Sequence, residues 1–317
     1  MEHLLGIEGL SRESLLQYLQ NAQTFIEVSE RELKKVPALR GKTIINLFLE
    51  SSTRTRVSFE IAAKRLSADA VNVGSSDSSI TKGETLLDTA RTLQSMAPDI
   101  IVMRHKESGA PHFLARHIKN CSIVNAGDGT HEHPTQALLD CLTLMQRYGR
   151  SAAELSGLKI SIVGDVLHSR VARSNIWAHI LLGNQVTLVA PPALVPAEFC
   201  DKLYYGDNIR IEHDLVRGIA GADVVMCLRM QLERQGAYFV PDLEEYSRVY
   251  CVSEKLLAKH APNSVVLHPG PSNRGTEASS DVLDGPRSLV ESQVKHGVAA
   301  RMATLFTLAT KKREELN

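Results

Sequence analysis

The strongest constraint on this chain is an alternation that runs through it in two series: a short apolar run, a tight polar loop, then a stretch with helical periodicity. TIINLFL (43–49) precedes RVSFEIAAKRL (56–66), VNVG (71–74) precedes ETLLDTARTLQSMA (84–97), DIIVM (99–103) precedes a helical stretch at 110–119, and SIVN (122–125) precedes ALLDCLTLMQRYG (137–149). Runs this short and rich in β-branched residues read as strands buried on both faces. Strands separated by helices imply a mainly parallel sheet with helices on both sides. A second series begins at LKISIVGDV (158–166), followed by a helix over 170–182 and the strands QVTLVAP, NIRIEH, ADVVMCL and SVVLHPG. Periodicity lapses at RSAAELSG (150–157), so the expected fold class is α/β, two doubly wound parallel-sheet domains of similar size, 1–150 and 151–287. Ser11 can cap a leading helix with Leu15, Leu19, Ala22 and Ile26 on one face, and a closing helix over 288–313 is expected to pack back on the first domain.

At 317 residues the chain is long enough for two such cores, and its 36 Lys+Arg balance 36 Asp+Glu. That balance removes the electrostatic footprint of a general nucleic-acid binder, so any anion site must be local. The five cysteines form no CxxC pair and are too scattered for a disulfide framework, which points to a reducing cytoplasm. Glu2 and Glu8 interrupt the apolar opening, and no stretch approaches the roughly 18 apolar residues of a membrane span, so neither a leader nor a membrane anchor is expected.

Ligands of open parallel sheets bind beyond the carboxyl ends of the strands, and four such ends carry polar residues here. Ser51-Ser52-Thr53-Arg54-Thr55-Arg56 follows the first strand and opens a helix. Hydroxyls, backbone N–H groups and the positive end of the helix dipole converge there as an anion cradle, and Arg54 adds a planar fork for two phosphate oxygens. A capped helix with solvated arginines is the plainer reading of the same residues. Neither GxxxxGK[ST] nor GxGxxG occurs, so the common nucleotide loops have no support. DIIVM ends in Arg104-His105, and SIVN leads to His131-Glu132-His133-Pro134-Thr135-Gln136. Pro134 suits a first helical turn, where the dipole disfavours an imidazolium at His133, leaving a neutral ring able to donate to a carbonyl oxygen. A histidine that simply caps its helix is the alternative. His131 and His133 could open a metal site, but no third and fourth ligand falls at a familiar spacing, and no metal or cofactor is expected.

With STRTRVSFE (52–60), KGETLLDT (82–89), MRH (103–105), DGTHEHPTQALLD (128–140), GD (164–165), RMQLER (229–234) and HPGPSNRG (268–275) in one order, the sequence resembles the aspartate/ornithine carbamoyltransferase family over nearly its whole length. The resemblance implies a carbamoyl-phosphate-binding domain at 1–150 and a domain for the second substrate at 151–287, with the active site in the cleft between them. It implies that Ser52, Thr53, Arg54 and Thr55 hold the phosphate, that Thr55, Arg104 and His133 address the carbonyl oxygen, and that Gln136 takes the carbamoyl amino group. It also implies a homotrimer whose active sites are shared, with Ser78 and Lys82 reaching into a neighbour's site. Taken locally, that lysine would read as a solvated charge.

The second substrate follows from charge. Aspartate, a dicarboxylate, needs cations, and Arg170, Arg229 and Gln231 stand just beyond predicted strands, although each arginine taken singly could be solvated surface. Ornithine relatives carry HCLP where this chain has His268-Pro269-Gly270-Pro271, so L-aspartate is expected, and the resemblance implies that Pro269, Gly270 and Pro271 line the aspartate site, with the Pro269 and Gly270 carbonyls orienting the amine. The expected activity gives N-carbamoyl-L-aspartate and phosphate, a step of pyrimidine synthesis. HPGPSNRG resembles chains that assemble with dihydroorotase or a dihydroorotase-like partner, although Thr276-Glu277-Ala278-Ser279 replaces the usual apolar continuation. The rivals are a carbamoyl transfer to another amino acid and a catalytically silent assembly subunit.

Overall fold

The computed structural model describes residues 3–74, 83–231 and 242–314, with side chains through 310. Two compact units divide the chain: Met1–Leu142 with Lys295–Asn317, and Thr143–Val294.

In the first unit α1 (Arg12–Glu30) leads to β1 (Thr43–Phe48), α2 (Thr53–Arg65), β2 (Asp69–Gly74), α3 (Leu86–Ser95), β3 (Ile100–His105), α4 (Ala110–His117), β4 (Ser122–Asp128) and α5 (Pro134–Tyr148). The sheet is parallel in the order β2-β1-β3-β4. β1 and β3 are buried at five of six positions and β4 throughout, whereas β2 has no buried position, as befits an edge strand. The opposite edge is covered, because Leu4 exchanges backbone hydrogen bonds of 3.0 and 2.8 Å with β4 and leaves few unpaired groups for another strand to meet. One face of the sheet packs Ile45, Leu47, Ile101, Met103 and Ile123 against Ala90 and Leu93 of α3 and Leu114 of α4. Ser11 caps α1 by accepting from the Ser14 N–H at 3.1 Å, and Leu15, Leu19, Ala22 and Ile26 are buried as their spacing predicts. The later part of α12 (Val290–Glu314) lies against α1. There Phe306 meets Phe25 edge-on, Thr307 accepts from Asn21 at 2.9 Å, and Lys295 pairs with Glu30.

The second unit runs β5 (Lys159–Val163), α6 (Arg170–Leu181), β6 (Gln185–Val189), α7 (Lys202–Tyr205), β7 (Ile209–Glu212), α8 (Leu215–Ile219), β8 (Val224–Cys227), α9 (Leu243–Tyr250), α10 (Glu254–His260), β9 (Val265–Leu267) and α11 (Ser280–Leu283). Its parallel sheet has the order β7-β6-β5-β8-β9. The helices α7 to α11 are absent from the periodicity reading, because elements of four to eight residues hold too few turns to show a repeat. No described helix is long and apolar enough to cross a membrane.

Each sheet has a point where its winding reverses. The first goes from β1 outward to β2 and returns to β3 on the other side of β1. The second goes from β5 to β6 and β7, then to β8 on the other side of β5. Connections leaving neighbouring strands in opposite directions leave a crevice at their carboxyl ends, and that is where polar residues can be gathered without disturbing the core.

Gly164 shows how tightly the second crevice is built. It sits at φ +123° directly after β5, and a Cβ there would lie 2.7 Å from the Leu228 carbonyl oxygen just past β8. Gly164→Ala therefore combines backbone strain with a clash against main chain, and is expected to destabilise the second unit by about 2–4 kcal/mol. Urea unfolding followed by circular dichroism measures this, and a variant as stable as the parent would contradict the packing described.

Candidate active site

At the end of β1, Ser52 caps α2 and its hydroxyl accepts the Thr55 N–H at 3.4 Å. Thr55 is buried, while Thr53 and Arg54 are exposed on the same first turn. The strand register sets Phe48 of β1 beside Arg104 of β3, and the Leu49 N–H donates to the Arg104 carbonyl at 2.9 Å. The arginine thus stands at the neighbouring strand end, across the switch point from the cradle.

Arg104 is 9% exposed, and its guanidinium donates to the Glu50 carboxylate at 2.9 Å and to the Ala126 carbonyl at 3.2 Å. A buried cation needs its charge answered, and Glu50 does this while the Ala126 carbonyl takes a second N–H group. Glu50 was not singled out in the sequence. An acid at the end of a strand whose neighbour ends in arginine is the signal that points to it, and it becomes visible only once β1 and β3 are known to pair.

β4 carries the chain on to His133 and Gln136. His133 is 4% exposed and immediately precedes Pro134, the first residue of α5. Its carbonyl accepts the Gln136 N–H at 2.9 Å. The Gln136 side-chain amide donates to Asp140 at 2.9 Å. A carboxylate accepts and does not donate, so the amide nitrogen faces Asp140 and the amide oxygen is left as an acceptor. Asp140 lies near the buried Arg301, whose guanidinium sits 5.2 Å from the centre of the Phe59 ring and donates to the Gly297 carbonyl at 3.0 Å. Burial pushes the Arg301 pKa down to about 10, with the Asp140 charge opposing, so it stays a cation at neutral pH.

In the second unit three adjacent strand ends carry the remaining candidates. After β5, Asp165 is fully buried and accepts from the His168 backbone N–H at 3.2 Å; one of its oxygens is also 2.8 Å from His168 Nδ1. Its other oxygen accepts the Gln231 N–H at 3.2 Å, linking the β5 end to the β8 end. Arg170 is the first residue of α6 and 3% exposed, and Arg229 donates to the Gln231 side chain at 3.3 Å. Two arginines and an amide therefore stand on neighbouring strand ends.

Pro269, Gly270 and Pro271 follow β9, with Gly270 at φ +63° and the Gly270-Pro271 peptide cis. The turn is held from beneath. His268 Nδ1 accepts the Gly270 N–H at 2.9 Å, which puts the ring proton on Nε2, 3.1 Å from Glu277. The same Glu277 oxygen accepts the Asn273 N–H at 2.6 Å, and the Gln293 side chain takes the His268 N–H at 2.9 Å. Read from sequence, Glu277 is only a polar departure after NRG. In the structure it is 1% exposed and secures both ends of the 268–273 turn.

The structure thus gathers Ser52, Thr53, Arg54, Thr55, Arg104, His133 and Gln136 on three adjacent strand ends of the first unit. It gathers Arg170, Arg229, Gln231 and Pro269–Pro271 on three adjacent strand ends of the second. Ser78 and Lys82 lie outside the described residues, as does most of the 229–240 segment.

Known proteins agree with this layout. Residues 2–146 match the family model described as aspartate/ornithine carbamoyltransferase, carbamoyl-P binding domain, and residues 156–308 match its Asp/Orn binding domain. A protein of Magnetococcus marinus named aspartate carbamoyltransferase catalytic subunit is 51% identical over 312 residues, 97% of this chain and 93% of that one. Aspartate transcarbamoylase from Trypanosoma cruzi, solved with carbamoyl phosphate and aspartate, superposes with a TM-score of 0.84 at 31% identity, covering 96% of each chain. Ornithine carbamoyltransferase from Pyrococcus furiosus superposes almost as well, with a TM-score of 0.83 at 29% identity over 96% of each chain. The fold is common to both kinds of relative and does not by itself choose the second substrate. With both halves of its length matched and these cradles in place, the chain belongs to the aspartate/ornithine carbamoyltransferase family.

Proposed function

We infer that the chain transfers the carbamoyl group of carbamoyl phosphate to the amine of L-aspartate, giving N-carbamoyl-L-aspartate and phosphate, a step of pyrimidine biosynthesis. One observation supports the reading: polar and cationic residues gather at each sheet's switch point, hydroxyls with Arg54 and Arg104 in the first unit and Arg170, Arg229 and Gln231 in the second. Aspartate is supported over ornithine by the Arg170, Arg229 and Gln231 group and by the 51% identity to a relative named for aspartate.

On this reading the α2 amide groups, the hydroxyls of Ser52, Thr53 and Thr55, and Arg54 hold the phosphate, aided by the helix dipole. Thr55, Arg104 and His133 are donors to the carbonyl oxygen, and the Gln136 amide oxygen accepts from the carbamoyl amino group. As the amine attacks, charge grows on that oxygen, and each fixed donor aimed at it lowers the barrier by about 3 kcal/mol. No covalent nucleophile is required, because positioning two bound substrates supplies much of the acceleration. Arg104 reaches substrate by giving up part of its bond to Glu50, so the acid keeps the cation solvated between turnovers. Arg170, Arg229 and Gln231 hold the aspartate carboxylates, and the 269–271 turn, backed by His268 and Glu277, offers carbonyls to the amine. The active assembly is a homotrimer in which Ser78 and Lys82 enter a neighbour's site, supported by the match of KGETLLDT to the family pattern. The protein is cytoplasmic, in keeping with five free cysteines, and HPGPSNRG favours a dihydroorotase-like partner.

The test is an assay of the purified chain with carbamoyl phosphate and either amine. The expected outcome is carbamoyl-aspartate and phosphate in equal amounts, with no product from ornithine; faster turnover of ornithine would overturn the substrate assignment. Arg229→Ala is expected to raise the KM for aspartate about 100-fold while leaving carbamoyl-phosphate binding within a factor of about two, a loss of the size given by one charge-assisted pair. Unchanged aspartate saturation in that variant would remove Arg229 from the site.

A further inference from the structure

Outside the residues used so far, the first unit holds a second concentration of ligating side chains. Ligand atoms of His112, Asp128 and His131 all lie within 4.8 Å of one another, and Glu8 and Glu132 stand equally close to His131. The group joins two elements: His112 lies in the first turn of α4, while Asp128 ends β4 and His131 follows it in the loop. The two imidazole rings meet edge-on with centres 5.2 Å apart. We propose that His112, Asp128 and His131 form a transition-metal site, of the kind that takes Zn2+, separate from the anion cradle and independent of the carbamoyl-transfer reading.

Three features carry this. First, His131 Nδ1 and Asp128 Oδ2 are 3.1 Å apart, a hydrogen bond in this structure and also the separation of two ligands that each bind an ion at about 2.0–2.1 Å with an angle of roughly 100°. Second, the carboxylate is already oriented as a metal-binding carboxylate must be. Asp128 accepts from Asn125 at 2.8 Å, from the Gly109 N–H at 2.7 Å and from the Glu132 N–H at 3.1 Å, a supporting shell that fixes its plane. Third, His112 Nδ1 is buried and makes no hydrogen bond, which calls for a group not yet accounted for. The third ligand atom lies within 4.8 Å of the other two, and water or the exposed Glu8 would complete four-coordination. His131 was a metal candidate in the sequence beside His133. The structure pairs it instead with His112 and Asp128, which no local spacing reveals.

The test uses the full chain, stripped with chelator and titrated with Co2+ and then Zn2+. It follows the visible absorption of four-coordinate cobalt and, after gel filtration, the metal content. The expected result is one equivalent of Co2+ per chain, displaced by Zn2+ and accompanied by proton release. Apparent affinity should fall at least about 100-fold in His112→Ala and in His131→Ala, with no change in His117→Ala, an exposed histidine on the same helix. Zn2+ should raise the melting temperature of the parent and not of His112→Ala. Should the alanine variant unfold, His112→Phe keeps the ring volume and repeats the comparison. The proposal is overturned if the folded parent binds neither ion, if His112→Ala and His112→Phe bind as the parent does, or if a thiolate-to-cobalt band lost in Cys200→Ser accounts for the metal.

Discussion

A guanidinium set at the end of a buried parallel strand has to be answered by charge, and in this protein the answer to Arg104 organises the first unit's site. Glu50 comes from the β1 end and the Ala126 carbonyl from β4, so one cation ties together three strand ends. Removing either side of such a pair would strand a charge at a cost of about 3–5 kcal/mol. The same pairing holds the Arg104 guanidinium in one place at the end of β3.

The second unit solves a like problem with an acid at its centre. Asp165, fully buried after β5, accepts from the His168 main chain and from Gln231 beyond β8, so the two elements that carry Arg170 and Arg229 share one anchor. Gly164 permits the close approach of the two strand ends, and the His268–Glu277 pair fixes the turn after β9. In both units buried polar residues at the strand ends decide where the neighbouring arginines and turns are placed.

Much of this was legible in the sequence for a physical reason. β1, β3 and β5 are short, doubly buried and therefore nearly continuous runs of Ile, Leu and Val, and the helices that follow β1, β4 and β5 begin at Ser52, Pro134 and Ser169 with ordinary capping chemistry. What escaped was what depends on pairing between distant segments. Glu50 gains meaning only from the β1–β3 register, Glu277 only from its contact with His268, and the His112 cluster only from α4 packing beside the end of β4. β2 reads as 71–74 in the sequence and starts at Asp69 in the structure, because an exposed edge strand lacks the apolar run that marks its neighbours. The stretch 150–157, read as a border, contains a short turn of helix within the second unit, and the lines between the units fall inside α5 and α12, where helical periodicity continues unbroken.

The central claim is that the α2 terminus and its arginine form an anion site assembled by the fold rather than a decorated helix cap. Calorimetric titration of carbamoyl phosphate into the parent and into Arg54→Ala, both checked for identical unfolding midpoints, tests it most directly. The account predicts an affinity lower by about 100-fold in the variant, close to 2.8 kcal/mol, at unchanged stability. Binding within a factor of about two of the parent would show that the cradle at the end of β1 does not hold the phosphate.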